Sequence, residues 1–202
     1  MSDNGTHVVS KKAINRDYIN EVACRLFAQQ GFARTSMRDI ASAIGIRAPS
    51  LYNHIGSKEE VLNRIILAMF YAQYSDLISA LAGAENPVEQ VRKGIVAQIQ
   101  FRIAHANAVV VAARETLELD ADIKTEVLGL RDRQYQAWAD VVERGVRAGV
   151  FHVPSVRLAS ITMYDFFNYL EINILYIQEN ISDQELCNWY VELALKSLGS
   201  HL

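Results

Sequence analysis

Apolar residues recur at the 3.6-residue spacing of an α-helix along almost the whole chain. In residues 15–30, Ile19, Val22, Ala23, Leu26 and Phe27 form one such stripe. Strand patterns are nearly absent, the three prolines stand where helices begin, and glycines stand where helices should end. The pattern predicts an all-α protein of about nine helices. The longer ones are expected at 58–81, 87–104, 106–117, 121–148 and 156–177, with a last helix capped by Ser182.

Residues 35–58 read as two short helices joined by a tight turn. The first carries an apolar stripe and opens on a Ser36–Asp39 capping box, and Gly45 supplies the corner. Pro49 suits the first turn of the second helix, and Leu51 points back to the first helix. This arrangement is a helix-turn-helix pattern at about 35–55, although any αα-hairpin shares parts of it.

The segment GFARTSMRDIASAIGIRAPSLYNHIGSKEEVL resembles the DNA-binding segment of the TetR family of bacterial transcriptional repressors. Ile55 stands where the family usually has Phe, and Arg47 stands where a Ser or Thr cap is common. The close resemblance covers roughly residues 11–70. It implies a DNA-binding domain at 11–57 and an effector-binding and dimerisation domain at 58–202. Residues 1–10 are polar and lack an apolar run, so a flexible tail is expected there. The resemblance also implies a homodimeric repressor that leaves a palindromic operator when a small molecule binds, with 58–81 as the lever between the domains.

The distribution of charge agrees with a DNA-facing N-terminal end. The chain has a net charge of −3, but residues 1–64 hold 9 Lys/Arg and 6 Asp/Glu, a balance of +3. The remaining 11 Lys/Arg and 17 Asp/Glu give residues 65–202 a balance of −6. Phosphate contact requires the basic end to face the DNA.

The residues of the second short helix are suited to reading base edges. Arg47 can donate two hydrogen bonds to guanine, Asn53 can pair with adenine or reach phosphate, and Ala48 and Pro49 suit a thymine methyl. Ser36 and Arg38 are phosphate candidates. The resemblance implies that Tyr52, His54 and Lys58 contact the DNA backbone, and Thr35 and Ser50 complete the predicted set. Tyr52 has an alternative role in packing, and His54 has an alternative as a surface histidine.

The larger domain is predicted to hold a pocket for a hydrophobic or amphipathic effector, because its helices carry aromatic and polar residues on apolar faces. The pattern is similar to family members that sense fatty-acyl thioesters or other lipid-like molecules. Each residue also has a plainer reading as core or as an internal ion pair. The predicted ligand-binding residues are Phe101, Arg102, His105, Arg114, Tyr135, Trp138, Tyr164, Phe167, Asn168 and Tyr169.

Residues 156–177 are apolar almost all round the helix, so this helix requires burial on more than one side. Pairing it and the last helix with their symmetry mates would form a four-helix dimer interface. The alternative is a helix buried centrally in a monomer. The predicted interface residues are Phe166, Leu170, Ile174, Ile177, Leu186, Trp189, Tyr190 and Leu193.

Other classes of protein find less support in the sequence. No stretch approaches the ~20 apolar residues of a membrane span and no signal peptide opens the chain, so a cytoplasmic protein without a membrane partner is expected. Cys24 and Cys187 are isolated, and no histidine pair has a metal spacing, so neither metal nor cofactor is expected. The alternatives are a helical interaction scaffold and, less favoured, an enzyme using His105 and Glu115 in the same cavity.

Overall fold

The computed structural model describes residues 15–166 and 181–200. Within these residues the chain folds into nine α-helices and one 3-10 turn and contains no strand, which confirms the predicted all-α class. The helices are α1 (Arg16–Gln30), α2 (Met37–Ala43), α3 (Ala48–Leu51), α4 (Lys58–Ala82), α5 (Pro87–Ala104), α6 (Ala106–Glu115), α7 (Ala121–Arg147), α8 (Val156–Asp165) and α9 (Asp183–Ser197). The 3-10 turn, Thr116–Glu118, joins α6 to α7.

Local signals position the three N-terminal helices as predicted. The Ser36 side chain accepts a hydrogen bond from Asp39 N at 3.2 Å, and the Asp39 carboxylate accepts one from Ser36 N at 2.8 Å, forming the capping box of α2. Gly45 has a φ of +77°, and Ile46 N donates to Ala41 O at 3.0 Å across the corner. Arg47 precedes α3 without a side-chain cap, and α3 is only 4 residues long.

The apolar core continues across residue 57, where the sequence predicts a domain boundary. Phe27, Leu51 and Val61 belong to one buried cluster that extends to Val109 and Val127 in the larger domain. A second cluster joins the far half of α4 to α5, α7, α8 and α9. The N-terminal helices therefore pack directly on α4 and α6, so a shift of α4 or α6 can move the N-terminal helices.

α4 is the one described helix that is long and apolar enough, by length and composition alone, to cross a membrane. Within residues 15–166 and 181–200, α5 and the segment 106–118 together pass the same test, although they meet at 90°. In the fold, α4 places Val61, Leu62 and Ile66 in the first buried cluster and Leu77 in the second. These side chains are core residues of the folded chain.

Several predicted residues lie outside the described part of the chain. They are the ligand-binding candidates Phe167, Asn168 and Tyr169 and the interface candidates Leu170, Ile174 and Ile177.

Candidate nucleic-acid interface and cavity

The second helix of the helix-turn-helix presents a polar edge to solvent. Leu51 and Ile55 are buried and hold α3 against the N-terminal core. Their burial leaves the rest of the segment turned outward: Arg47, Pro49, Ser50, Tyr52 and Asn53 are exposed, and Ala48 and His54 are partly buried. Tyr52 is 56% exposed, so most of its ring is available to a partner and its alternative packing role is not supported.

Beside this edge, the N-termini of α2 and α4 face a shallow recess. Its lining brings together five predicted residues, Thr35, Ser36, Arg38, Tyr52 and Lys58. Helix N-termini carry partial positive charge and unpaired N–H groups, which makes such a place suited to phosphate. Arg34 also lines the recess and is exposed. Sequence reasoning missed Arg34, although its place in the basic N-terminal third was a usable signal.

Two side chains of the predicted DNA-binding set form hydrogen bonds inside the protein. The Thr35 side chain is 1% exposed; its hydroxyl donates to Gly31 O at 2.8 Å and accepts from Gln30 at 3.1 Å. A buried side chain cannot reach DNA, so Thr35 is corrected to a residue that shapes the turn between α1 and α2. Lys58 Nζ donates to Phe32 O at 3.0 Å and Thr35 O at 3.1 Å, which directs its charge onto the same turn.

The larger domain contains a cavity of about 400 Å³, a size within the usual range for small-molecule sites. Three predicted residues line it: Arg102, Trp138 and Tyr164. The other lining residues are Met69, Phe70, Gln73, Gln98, Val109, Ala112, Ala113, Arg131, Gln134 and Asp165.

Four other predicted ligand residues do not line this cavity. Phe101 is buried in the core, with its ring centroid 4.5 Å from that of exposed His105. Arg114 is exposed and turns toward α1, and Tyr135 is absent from the cavity wall. The reason is rotational: these side chains leave their helices at angles that point away from the cavity, and the sequence alone does not fix those angles.

Buried amides form the centre of the cavity wall. Gln73, Gln98 and Gln134 are 6%, 3% and 2% exposed. Gln98 Oε1 accepts from Gln73 Nε2 at 3.0 Å and from Arg102 Nη1 at 3.0 Å, and Gln134 Nε2 lies 3.4 Å from Gln73 Oε1. Gln73 and Gln98 line the cavity but are not among the ligand-binding residues that the sequence predicts. The usable signal was a glutamine within the apolar stripe of its helix, since Phe70 and Leu77 flank Gln73, and Ile95 and Phe101 flank Gln98, at one turn's distance.

α6 lies between the cavity and the N-terminal helices. Val109, Ala112 and Ala113 line the cavity. At the end of the same helix, Arg114 Nη1 donates to Ala28 O at 3.1 Å, and the Glu115 carboxylate accepts from Phe32 N at 3.4 Å. A displacement of α6 by a ligand would therefore act directly on the end of α1 and on the turn before α2.

The last helix has one face in the core and one in solvent. Leu186 is 6% exposed and belongs to the second buried cluster, so its prediction as an interface residue is wrong: its side chain packs inside the protomer. Trp189 and Leu193 remain 63% and 40% exposed. Tyr190 is half-buried and packs edge-on against Phe166, with ring centroids 6.3 Å apart.

Both cysteines are buried. Burial raises the pKa of Cys24 to about 11, and burial together with the nearby Asp183 charge raises the pKa of Cys187. Thiols with such pKa values are poor nucleophiles at neutral pH. Across residues 15–166 and 181–200, no three His, Cys, Asp or Glu side chains are grouped in a way that could hold a metal ion.

A helix-turn-helix with a basic edge, joined through α4 and α6 to a helical domain with a cavity, defines a DNA-binding regulator. Residues 19–65 match the model of bacterial regulatory proteins of the tetR family, and residues 84–171 match the tetracyclin repressor-like C-terminal domain. The chain is 31% identical over 140 residues to the HTH-type transcriptional repressor KstR2 of Mycobacterium tuberculosis, covering 67% of this chain and 68% of that one. This chain belongs to the TetR family of bacterial transcriptional repressors.

Solved structures share the fold over nearly the whole chain. The TetR family regulator PfmR of Thermus thermophilus has a TM-score of 0.79 and 25% identity, covering 95% of this chain and 99% of that one. AibR, solved in complex with isovaleryl coenzyme A and operator DNA, has a TM-score of 0.77 at 18% identity over 88% and 96% of the two chains, a likeness of fold alone. Regulators of this family bind operator DNA and small-molecule effectors and act as dimers. The alternative of a helical scaffold is not favoured.

Proposed function

We propose that this protein is a cytoplasmic homodimeric repressor that leaves a palindromic operator when a hydrophobic or amphipathic small molecule enters the cavity between α4 and α8. The observation that carries the proposal is the position of α6. One face of this helix lines the cavity, and its last two residues hydrogen-bond to the end of α1 and to Phe32. Ligand binding and DNA binding thus share one rigid element.

In the proposed complex, α3 enters the major groove. Arg47, Pro49 and Asn53 are exposed together on its edge, and side chains near the start of a recognition helix are the ones that meet base edges. Ser36 and Arg38 lie at the recess beside that edge, where the N-terminus of α2 favours a phosphate. In this scheme Arg47 distinguishes sequences, while Arg38 contributes affinity for any duplex.

Dimerisation would place two copies of α3 in successive major grooves, about 34 Å apart. The exposed side chains of Trp189 and Leu193 on α9 support this assembly, because a contiguous apolar face needs a partner. Phe166 and Tyr190 extend the same surface, since their rings are in contact. Leu170, Ile174 and Ile177 remain predicted members of the interface.

Release would follow from the difference in shape between free and liganded dimers. A ligand shifts an equilibrium only if it binds one state more tightly than the other. Met69 and Phe70 of α4 and Val109 and Ala112 of α6 line the cavity, so filling it acts on both helices that carry the N-terminal core. The proposed lever is therefore α4 together with α6.

The effector is proposed to have a substantial hydrocarbon part. Met69, Phe70, Val109, Ala112 and Trp138 give the cavity an apolar wall, and transfer of apolar surface from water drives binding to such a wall. Fatty-acyl thioesters and other lipid-like molecules belong to this class.

A gel mobility shift tests the proposal. Purified protein would first select its operator from random duplexes, and candidate amphipathic molecules would then be added to the complex. Loss of the shifted band at concentrations that saturate the cavity is the expected result. A molecule that binds the cavity tightly yet leaves operator affinity unchanged would contradict the proposed coupling.

A further inference from the structure

The polar residues of the cavity lie in two layers. Gln73 on α4 contacts Gln134 on α7. Phe70 and Arg131 each lie three residues earlier on the same two helices, and the guanidinium carbon of Arg131 is 5.1 Å from the centroid of the Phe70 ring. α5 runs antiparallel to α4, because Gln98 meets Gln73 while Gln90 reaches Leu81 O. Arg102, one turn after Gln98, therefore lies at the level of Met69 and Phe70. The glutamines form an amide layer, and the two arginines form a cationic layer on the side nearer the DNA-binding helices.

Within the amide layer, Gln98 has one polar atom without a partner. Its Oε1 accepts two hydrogen bonds, whereas its buried Nε2 makes none with any described residue. Turning the amide by 180° would place its NH2 group against the Arg102 Nη1 donor, so the atom left without a partner is the donor Nε2. Because leaving a buried polar atom unsatisfied costs free energy, an atom in this position indicates a site for a bound group.

In the cationic layer, Arg131 also has a buried donor without an acceptor. Its Nε is buried without a hydrogen-bond partner, and no carboxylate among residues 15–166 and 181–200 forms an ion pair with it. The Phe70 ring covers the face of the guanidinium and leaves its N–H groups for an acceptor. Among the residues that the structure describes, the lining contains two guanidiniums, Arg102 and Arg131, and a single carboxylate, Asp165, an excess of one positive charge.

We propose that the ligand of this cavity is an apolar carboxylic acid, bound as its carboxylate. One carboxylate oxygen accepts from Arg131 and the other accepts from Gln98 Nε2, while the hydrocarbon part lies against Val109 and Ala112 of α6. A carboxylate satisfies both orphaned donors and neutralises the excess charge, and a guanidinium is the cation best matched to it. The inference rests on the proposed function, which makes this cavity the effector site.

A carboxylate ligand implies that a free acid binds the cavity more tightly than its thioester. A thioester carbonyl accepts hydrogen bonds but carries no charge, so it leaves the Arg131 charge uncompensated. Charge-assisted hydrogen bonds are about twice as strong as neutral ones. An acid is therefore expected to bind at least ~10-fold more tightly than its alcohol or its thioester, the difference made by one such bond.

The test uses two matched sets of probes: 3-phenylpropionate with 3-phenylpropan-1-ol and the N-acetylcysteamine thioester of the acid, and the same set built on decanoate. Binding to the full-length dimer without DNA is measured by calorimetry and thermal shift. Arg131→Met keeps a side chain over Phe70 and removes the charge, and Arg131→Lys restores a charge. Arg133→Met is the matched control. Arg133 lies on α7, as Arg131 does, and its guanidinium is over the ring of Tyr74, but it does not line the cavity.

The expected result is a preference for the acid that Arg131→Met removes, that Arg131→Lys partly restores and that Arg133→Met leaves intact. Gln98→Leu should weaken the acid more than the alcohol. The inference is overturned if the neutral probes bind as tightly as the acids, if folded Arg131→Met binds the acids as well as the unsubstituted protein, or if no acid binds. A water molecule that satisfies Gln98 would give that last outcome.

A mobility shift with the same probes separates the two proposals. An acid that binds with the predicted preference but does not release operator DNA leaves this inference standing and contradicts the proposed function. A neutral probe that releases DNA while the acids do not bind supports the proposed function and contradicts the inference of a carboxylate ligand.

Discussion

Arg114, in the last turn of α6, donates a hydrogen bond to the carbonyl oxygen of Ala28 in α1 at 3.1 Å. The sequence places this arginine among the ligand-binding candidates, but the structure directs it to the DNA-binding helices. It therefore links the helix that lines the cavity to the helix that supports the helix-turn-helix. This contact makes the coupling between the two sites accessible to experiment.

Replacing Arg114 by alanine should loosen the end of α1. The backbone amides of residues 27–32 should exchange with solvent faster, by the equivalent of about 1 kcal/mol for one lost hydrogen bond. Hydrogen exchange followed by mass spectrometry measures this. Arg147→Ala, which removes an exposed cation from the end of α7, is the control and should leave residues 27–32 unchanged. Equal exchange in the two variants would show that the Arg114 contact does not restrain α1.

Replacing Arg47 and Arg38 by alanine should affect DNA binding in different ways. Arg47→Ala should reduce discrimination between operator and random DNA by about 1–3 kcal/mol, the loss expected for a bidentate contact to guanine. Arg38→Ala should weaken both duplexes alike and reduce the salt slope by about 1. Fluorescence anisotropy at several salt concentrations measures both effects. An equal loss on both duplexes for Arg47→Ala would make Arg47 a phosphate contact instead.

The capping box of α2 should make stability depend on acid pH. Hydrogen bonds from the Ser36 side chain and backbone lower the pKa of the Asp39 carboxyl in the folded protein. A lowered folded pKa gives a stabilisation that is complete above the unfolded pKa of about 3.9 and is lost as pH falls through the folded value. Chemical unfolding between pH 6 and pH 3 should therefore show a smaller loss of stability for Asp39→Asn than for the unsubstituted protein.

Ser36→Ala provides the matching control for the capping box. It removes the hydroxyl, one of the two Ser36 donors to the carboxylate, so the pKa of Asp39 should rise toward its ordinary value in an NMR titration. An Asp39 pKa that does not respond to Ser36→Ala would contradict this explanation.

Two glycines of α7 should respond to alanine with opposite signs. A Cβ at Gly145 would lie 1.9 Å from Cδ2 of the buried Phe151 ring, whereas a Cβ at Gly129 would have no heavy atom within 4 Å. Gly145→Ala should lower the free energy of unfolding by about 1–3 kcal/mol through overpacking. Gly129→Ala should raise it by about 0.5–1 kcal/mol, since alanine favours the helix. Urea unfolding compares the two, and similar values would disprove the packing described for Phe151.

Replacing Trp189 by aspartate should separate the proposed dimer. The indole is 63% exposed on the protomer, and a charge at the centre of an apolar interface costs more than it gains. Analytical ultracentrifugation should show monomers, and operator affinity should fall because two recognition helices are no longer joined. Leu117→Asp is the control, since Leu117 is 78% exposed at the 3-10 turn away from α9. A Trp189→Asp protein that remains dimeric would remove α9 from the interface.

The sequence predicts the helices and the helix-turn-helix well because their signals are local. The Ser36–Asp39 box and the turn at Gly45 each depend on residues a few positions apart. The cavity depends on which faces of five helices meet, and helical periodicity gives no information about that pairing. Gln73 and Gln98 are consequently absent from the predicted set, while Arg114, which does not line the cavity, is included in it.

Side-chain partners distant in sequence explain the remaining differences. Lys58 was expected to meet the DNA backbone, but it reaches two carbonyl oxygens, Phe32 O and Thr35 O, that lie 23 or more residues earlier. Leu186 and Trp189 lie one turn apart on α9, yet one is core and the other is exposed. The periodic pattern identifies an apolar helix, and only the packed fold shows which part of it remains for a second chain.

Whether this protein is a dimeric repressor released by a ligand is tested by selecting bound fragments from random duplex DNA and then adding the matched probes to the purified complex. We expect one enriched sequence with two-fold symmetry, half-sites separated by about one helical turn, and salt-dependent binding that an apolar carboxylate abolishes. Binding without sequence preference, or an enriched site without two-fold symmetry, would contradict the proposed dimer that places two copies of α3 in successive major grooves. An operator complex that persists when the cavity is saturated would contradict the coupling through α6.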